Sequence, residues 1–164
     1  MIRPANLSDL DALVQLETRN FDSDRLSRRS FYYLLTRGNA ILLVDVERDA
    51  LRGYALLRFH ARSPNARLYS IAIEHTHRSR GIGRALLTAA EKTSRKHGAV
   101  KLRLEVREDN HVATRWYLKL GYRQFGKYLD YYADHADALR MQKSLAQPAP
   151  RRAQPTRQAA RSAA

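Results

Sequence analysis

The 164-residue chain contains no cysteine, and it has no uninterrupted apolar run of about 18 residues. The absence of cysteine excludes disulfides, thiolate nucleophiles and thiolate metal sites. The absence of a long apolar run argues against a membrane-spanning helix, and the first residues lack the basic-then-apolar layout of a signal peptide. We therefore expect a cytoplasmic protein of about one domain that has no membrane partner.

Acidic side chains are also scarce, with 16 Asp and Glu against 30 Lys and Arg and a formal net charge of +14. Four of the arginines lie in residues 146–164, so residues 1–145 still carry +10. Such a field favours anionic partners, among them cofactor phosphates, RNA and acidic peptides, and disfavours cationic small molecules. The same charge is compatible with a role in solubility alone, so nucleic acid is not a required partner.

Two common nucleotide-binding motifs are missing as well. The chain has no Gly-x-x-x-x-Gly-Lys-Ser/Thr run, and the third position after Gly83 in its Gly81-x-Gly83 pair is Leu86 instead of glycine. The segment 78–84 instead joins an apolar run to a helical pattern. Such a turn directs backbone N–H groups and the positive end of a helix dipole at an anion, and glycine lets a phosphate approach closely. The two glycines are equally compatible with a simple tight turn.

The apolar periodicity predicts strands at 2–4, 40–46, 53–60, 67–73, 101–107, from 122 onward and at 138–145. Helices are predicted from Ser8 as N-cap, at 25–36, from the glycine turn to about 97, and from a cap at 109 or 110 to 120. This order is typical of an α/β fold with one mixed, mostly antiparallel central sheet flanked by helices. Residues 146–164, rich in Ala, Pro, Gln and Arg, are predicted to be a disordered tail outside a domain at 1–145.

The pattern Arg78-x-x-Gly81-x-Gly83 resembles the signature with which the GNAT acetyltransferase superfamily binds the pyrophosphate of acetyl-CoA. Further motifs resemble those of the protein N-terminal acetyltransferases, including the ribosomal-protein-alanine N-acetyltransferases. They are Leu-Glu-Val-Arg at 104–107, Asn110, Trp116-Tyr117, Leu120-Gly121-Tyr122 and Asp130-Tyr131-Tyr132-Ala133-Asp134. The resemblance covers about residues 2–145 and implies the GNAT fold. Two places depart from the family pattern: Arg78 stands where glutamine is usual, and 22–29 lacks the usual aromatic, Pro-containing loop.

The resemblance implies that Glu105 is the general base and that Tyr117 is the general acid for the departing CoA thiolate. It implies that Tyr131 and Tyr132 line a peptide groove and that no metal is needed. The residues implied to contact the cofactor are Ile71, Ala72, Ile73, Arg78, Ser79, Arg80, Gly81, Ile82, Gly83, Arg84 and Asn110. Spacing alone leaves other roles open, because Glu105 could balance a basic strand face, Tyr117 could be a core aromatic, and the paired tyrosines could belong to a strand.

The predicted function is transfer of acetyl from acetyl-CoA to the α-amine of a protein or peptide N-terminus, by direct attack with general base and acid assistance. A ribosomal protein is one candidate acceptor. One alternative is a GNAT enzyme for lysine or a small-molecule amine, and another is a non-catalytic acyl-CoA-binding or RNA-associated module. The sequence indicates no oligomeric state.

Overall fold

The computed structural model describes residues 1–145, so the predicted tail at 146–164 lies outside the described residues. One seven-stranded sheet runs through the described chain in the order β1-β2-β3-β4-β5-β7-β6. Its strands are β1 (Ile2–Pro4), β2 (Ala40–Glu47), β3 (Ala50–Phe59), β4 (Asn65–Ile73), β5 (Lys101–Arg107), β6 (Arg123–Tyr128) and β7 (Ala138–Ser144). The helices are α1 (Leu10–Asn20), α2 (Arg28–Thr36), α3 (Ile82–Lys96) and α4 (His111–Lys119).

The pairing of β4 with β5 is parallel, whereas the other strand pairs are antiparallel. This arrangement confirms the predicted α/β fold with a mixed, mostly antiparallel sheet. The parallel ladder is short, because it joins Asn65–Arg67 only to Lys101–Arg103, while β4 continues to Ile73 and β5 to Arg107. Beyond the ladder the two strands separate. A V-shaped opening between their C-terminal halves is the result.

Helices pack on the sheet in two groups, and each group has its own core. Leu86, Leu87 and Ala90 of α3 join Leu102 and Leu104 of β5 on one face. On the other face, α1 and α2 cover only part of the sheet, where Leu13, Leu16 and Phe31 pack against Val44 and Leu56. The remainder of that second face, over β4, β5, β7 and β6, carries polar and aromatic side chains. None of the helices within residues 1–145 is both long and apolar enough to cross a membrane.

The observed boundaries correct three local predictions. A 3-10 turn at Leu7–Asp9 leads into α1, and its N-cap is Asn6 instead of the predicted Ser8. The Asn6 side chain accepts from the Ser8 N–H, and the Asp9 carboxylate accepts from the Asn6 N–H at 2.8 Å. α2 begins at Arg28 instead of 25, because the Ser27 hydroxyl caps the Ser30 N–H. β3 begins at Ala50 instead of 53, because 48 and 49 both adopt positive φ, as a tight two-residue hairpin turn requires.

Candidate active site

The opening between β4 and β5 leaves one edge of β4 without a strand partner at Ile71, Ala72 and Ile73. Their other edge is paired with β3, where Ala55, Tyr54 and Gly53 lie opposite them. A register shift at Leu56/Leu57 leaves an extra residue in β4 and locally interrupts the ladder. The free edge can pair with an extended ligand that carries amide groups, in the manner of an added strand.

The predicted phosphate turn leads directly into α3. Gly81 is the N-cap, with φ of 80°, and its carbonyl accepts from the Ala85 N–H at 3.0 Å. Ser79 also has positive φ, at 62°. The first N–H groups of a helix lack intrahelical partners, so the backbone at 82–84 presents donors at the positive end of the helix dipole. Arg80 and Arg84 are exposed beside this turn, which gives the site the charge that a pyrophosphate requires.

The segment before the turn is tied to the end of α1. Arg78 donates from Nη2 to the Asn20 Oδ1 at 2.7 Å, and Arg19 pairs with Glu74 at 2.9 Å. The Arg78 guanidinium is thus already partly engaged within the protein. These contacts tie the segment that contains the predicted phosphate turn to the C-terminal end of α1.

Trp116 of α4 lies across the opening from α3. A Cβ added at Gly83 would be 3.5 Å from the Trp116 ring and 3.7 Å from Ile73 Cγ1. α3 and α4 therefore pack closely beside the end of β4, with room for no more than a small side chain at position 83. At the start of α4, the Asn110 side chain accepts from the Ala113 N–H at 3.1 Å and caps the helix. Trp116 was not among the predicted site residues, although it is half-buried in this gap.

Glu105 lies on β5 beyond the part of the strand that pairs with β4, and its side chain is 10% exposed. Its Oε2 accepts from Arg67 Nε at 3.0 Å, and Arg67 Nη2 donates to the Tyr131 hydroxyl at 2.6 Å. Glu105 is thus oriented by an arginine of the neighbouring strand, not by the basic residues of its own strand. Sequence reasoning missed Arg67, because the contact depends on the β4–β5 register.

Tyr117 is buried in α4, with edge-to-face contacts to Trp116 at 4.9 Å and to Tyr122 at 5.5 Å between ring centroids. Within residues 1–145 its hydroxyl has no hydrogen-bond partner. Burial raises the pKa of Tyr117, and the neighbouring Tyr132 raises it further. Tyr117 therefore packs as a core aromatic while it keeps a protonated, unengaged hydroxyl.

Tyr131 and Tyr132 lie in the loop between β6 and β7, not in a strand, and their rings meet edge to face at 5.0 Å. Arg107 lies over the Tyr132 ring at 5.1 Å and pairs with Asp134 of the same loop at 2.7 Å. Burial, followed by Tyr131 and Glu105, raises the pKa of Tyr132 to about 12. Tyr132 in turn raises the pKa of Tyr117.

The loop between α1 and α2, on the other side of the opening, is held by a buried carboxylate. Glu17 of α1 is 3% exposed, accepts from the Leu26 N–H at 2.9 Å and accepts from the Tyr54 hydroxyl. The Tyr54 hydroxyl also contacts Ser70 Oγ of β4 at 2.8 Å. This network anchors the α1–α2 loop to the sheet. The sequence signal was an acid on the apolar stripe of α1, and it was missed because its partners lie far along the chain.

The elements around the opening define a class of protein. The chain belongs to the acetyltransferase (GNAT) family, whose profile matches residues 8–122. It is an N-acetyltransferase of the family that uses acetyl-CoA. Within residues 1–145, no group of three or more His, Cys, Asp or Glu side chains is placed to hold a metal ion.

Individual proteins of known sequence or structure are also similar to this chain. Over 142 residues the chain is 31% identical to a Bacillus subtilis protein provisionally named as a ribosomal protein bS18-alanine N-acetyltransferase, covering 85% of this chain and 92% of that one. It is 28% identical over 148 residues to the Arabidopsis thaliana N-terminal acetyltransferase A complex catalytic subunit NAA10, covering 88% and 77%. The crystal structure of the ribosomal-protein-S18-alanine N-acetyltransferase from Escherichia coli shares the fold, with a TM-score of 0.80, 24% identity and coverage of 92% and 97%.

Proposed function

We propose that this enzyme transfers the acetyl group of acetyl-CoA to the α-amine of a protein or peptide N-terminus in the cytoplasm. The observation that carries the proposal is the grouping of Glu105, Tyr117 and Tyr132 at the β4–β5 opening. Arg67 joins the Glu105 carboxylate to the Tyr131 hydroxyl at 3.0 and 2.6 Å, and the Tyr131 ring meets the Tyr132 ring edge to face at 5.0 Å. The relatives described above support a protein N-terminus as the acceptor, and a ribosomal protein is one candidate.

The residues at the opening fit acetyl-CoA. The free edge at Ile71, Ala72 and Ile73 would pair with the amides of its pantetheine arm. Backbone N–H groups of the segment 78–84 would bind its pyrophosphate. Asn110 would add a hydrogen bond to the cofactor. When bound, acetyl-CoA supplies an already activated thioester, so the protein needs no nucleophile of its own.

Glu105 and Tyr117 would divide the proton transfers. Glu105 would accept a proton from the acceptor ammonium, directly or through a water, while Arg67 holds its carboxylate in place. The neutral amine would then form a bond to the thioester carbonyl carbon as the carbon–sulfur bond to CoA breaks. Tyr117 would act as the general acid for the departing CoA thiolate. Because burial raises the pKa of Tyr117 and an ordinary thiol has a pKa of about 8.5, Tyr117 first acts as a hydrogen-bond donor. Complete proton transfer requires that burial also raise the proton affinity of the thiolate.

An α-amine suits this site better than a lysine side chain. Ordinary pKa values of about 7.7–8.0 and 10.4 mean that neutralising lysine near pH 7 costs roughly 3–4 kcal/mol more. The surroundings of Glu105 are basic, since Arg67 and Arg107 lie beside it on the same open face. A positively charged small amine gains little from such a field, whereas a polypeptide can contact the tyrosines of the β6–β7 loop.

The test is release of CoA from acetyl-CoA with short peptides that differ in their first residue, alongside Nα-blocked peptides that contain a free lysine. We expect turnover only with free α-amines. Glu105→Gln and Tyr117→Phe should each lower kcat by about 10²-fold or more. The matched control is Glu108→Gln, which removes an exposed carboxylate that pairs with Lys127 at 2.8 Å and should keep kcat near the wild-type value.

Three results would contradict the proposal. Turnover of blocked peptides would assign the enzyme to lysine. Turnover of small amines alone would exclude the polypeptide acceptor. Binding of acetyl-CoA without turnover of any amine, and without an effect of Glu105→Gln, would indicate a non-catalytic acyl-CoA-binding module.

A further inference from the structure

A continuous line of arginines crosses the open face of the sheet. The strand registers place Arg58 opposite Arg67, Arg67 opposite Arg103, Arg103 opposite Gln142, and Gln142 opposite Arg123. Directly opposed residues of neighbouring strands point to the same face. Four arginines and one glutamine therefore form a single row across β3, β4, β5, β7 and β6. We call Arg58, Arg67, Arg103 and Arg123 the arginine row.

Most of this positive charge is not neutralised within the protein. Arg67 pairs with Glu105, and Arg103 donates to the neutral Gln142 Oε1 at 3.1 Å. Across the part of the chain that the structure describes, Arg58, Arg103 and Arg123 form no ion pair with an acidic side chain. Like charges placed directly opposite each other destabilise a sheet. An anionic partner would offset that cost.

The guanidinium groups are held so that their N–H edges stay available. Arg58 lies over the Tyr69 ring at 4.6 Å, and Arg103 lies over the Phe125 ring at 4.6 Å. Arg140, two residues before Gln142 on β7 and opposite Glu105, lies over the Phe125 ring, and its buried Nε has no hydrogen-bond partner within residues 1–145. Stacking uses the flat faces of a guanidinium and leaves the in-plane donors for carboxylate oxygens.

The row begins where the proposed acceptor amine would sit. Glu105 is two residues beyond Arg103 on the same face of β5, a distance of about 7 Å along the strand. Arg67 belongs both to the row and to the Glu105 ion pair. An extended polypeptide advances about 3.3 Å per residue, so an acceptor with its amine at Glu105 reaches the row from about its third residue.

We propose that the arginine row docks an acidic stretch of the acceptor polypeptide, so that the preferred substrates carry Asp or Glu at about positions 3–6 behind the free N-terminus. This inference rests on the proposed function. Single-stranded RNA is a weaker fit, because RNA-binding sheets stack bases on aromatic faces. Here guanidinium groups cover the rings of Tyr69 and Phe125.

The experiment compares three peptides that share the same first two residues and a free α-amine, with positions 3–6 all Glu, all Gln or all Lys. For the wild type at low ionic strength, we expect kcat/KM to be about tenfold higher for the Glu peptide than for the Gln peptide. The preference should shrink as salt is added, since exposed charges are screened. Arg58→Glu and Arg103→Glu should each remove the preference or shift it toward the Lys peptide.

Lys92→Glu is the matched control, because Lys92 is an exposed basic residue of α3 on the opposite face and its substitution changes the net charge equally. It should keep the wild-type preference. Melting temperatures check folding, and Arg58→Gln and Arg103→Gln replace any reversal variant that does not fold. Equal kcat/KM for the Glu and Gln peptides overturns the inference while the proposed function stands. Turnover of no free-amine peptide overturns both.

A labelled single-stranded RNA is the remaining arm of the test. Tight RNA binding that Arg58→Glu abolishes, together with no preference between the Glu and Gln peptides, would assign the row to nucleic acid and overturn the inference. Weak RNA binding that none of these variants changes, together with the Glu preference, supports the acidic acceptor.

Discussion

Residues of similar burial differ in their hydrogen-bond partners, as Tyr117 and Tyr122 illustrate. Both are buried, and their rings touch. The Tyr122 hydroxyl donates to Glu91 at 2.9 Å, and Lys143 pairs with the same carboxylate. The Tyr117 hydroxyl has no such partner within residues 1–145. The Tyr122 hydroxyl is therefore engaged within the fold, whereas the Tyr117 hydroxyl is free for the catalytic role that we propose.

Substitution of these two tyrosines should separate stability from activity. Tyr122→Phe leaves the buried Glu91 one hydrogen bond short, and we expect it to lower the free energy of unfolding by about 1–2 kcal/mol with kcat little changed. Tyr117→Phe should keep the wild-type stability and lose about 10²-fold or more in kcat. Urea unfolding and CoA release measure the two effects. The reverse pattern would move the catalytic role away from Tyr117.

The pH dependence of kcat/KM should follow the titration of the acceptor amine and not that of Tyr117. Because burial raises the pKa of Tyr117 above its ordinary value of 10.0, its active protonated form persists throughout the neutral and mildly alkaline range. We expect kcat/KM to rise to a plateau as the peptide α-amine deprotonates near pH 8, and to show no fall before about pH 10. A falling limb below pH 9 that disappears in Tyr117→Phe would show that the pKa of this tyrosine is lowered instead of raised.

At the scale of elements, α3 depends on two glycines with left-handed backbone. Gly81 caps its N-terminus with φ of 80°, and Gly98 follows its C-terminus with φ of 79°. An added Cβ would meet no atom within 4 Å at either position. An alanine at either site is therefore strained by its backbone alone and not by a clash. The two positions differ in that only Gly81 belongs to the phosphate turn.

This matched pair predicts a separation of cofactor binding from stability. Gly81→Ala and Gly98→Ala should each destabilise the protein by about 1–2 kcal/mol, the cost of left-handed backbone for a residue with a Cβ. Only Gly81→Ala should also weaken acetyl-CoA binding, by about three- to tenfold, because it disturbs N–H groups at the helix terminus. Thermal unfolding and calorimetric titration provide the two values. Equal weakening in both variants would argue against pyrophosphate binding at this turn.

At the scale of the whole molecule, the residue that follows β7 is still part of the packed structure. Leu145 is 2% exposed and its N–H donates to the Val100 carbonyl at 2.9 Å. We propose that residues 1–145 form the catalytic domain and that 146–164 are a tail outside it. The domain has two separate cores on the two faces of one sheet. Because Leu145 belongs to one of these cores, the stability of the domain should depend on Leu145 but not on the residues that follow it.

Truncation tests this boundary. Removal of 146–164 should leave the melting temperature close to that of the full chain. Leu145→Ala in the full chain should lower the free energy of unfolding by about 2–5 kcal/mol, because it empties a buried site. Thermal and urea unfolding of the two variants are the measurements. A large loss of melting temperature on truncation would show that the last residues contribute to the fold.

Local pattern was sufficient for most of the architecture. The strict alternation at 101–107 predicted β5 to the residue, and the element order was confirmed. Boundaries at turns were less accurate, because the start of β3 depends on two residues with positive φ that no periodicity marks. The resemblance supplied Glu105 and Tyr117 as catalytic candidates, and their roles remain predictions.

By itself, the sequence determined the order of helices and strands, the glycine turn at the start of α3 and the basic charge of the chain, because each of these is set by neighbouring residues. Only the tertiary structure decided which distant side chains meet. Glu105 with Arg67 and Glu17 with Tyr54 join residues 38 and 37 positions apart. The arginine row exists only through the registers of five strands. Such contacts depend on long-range strand pairing and packing, which local periodicity does not encode.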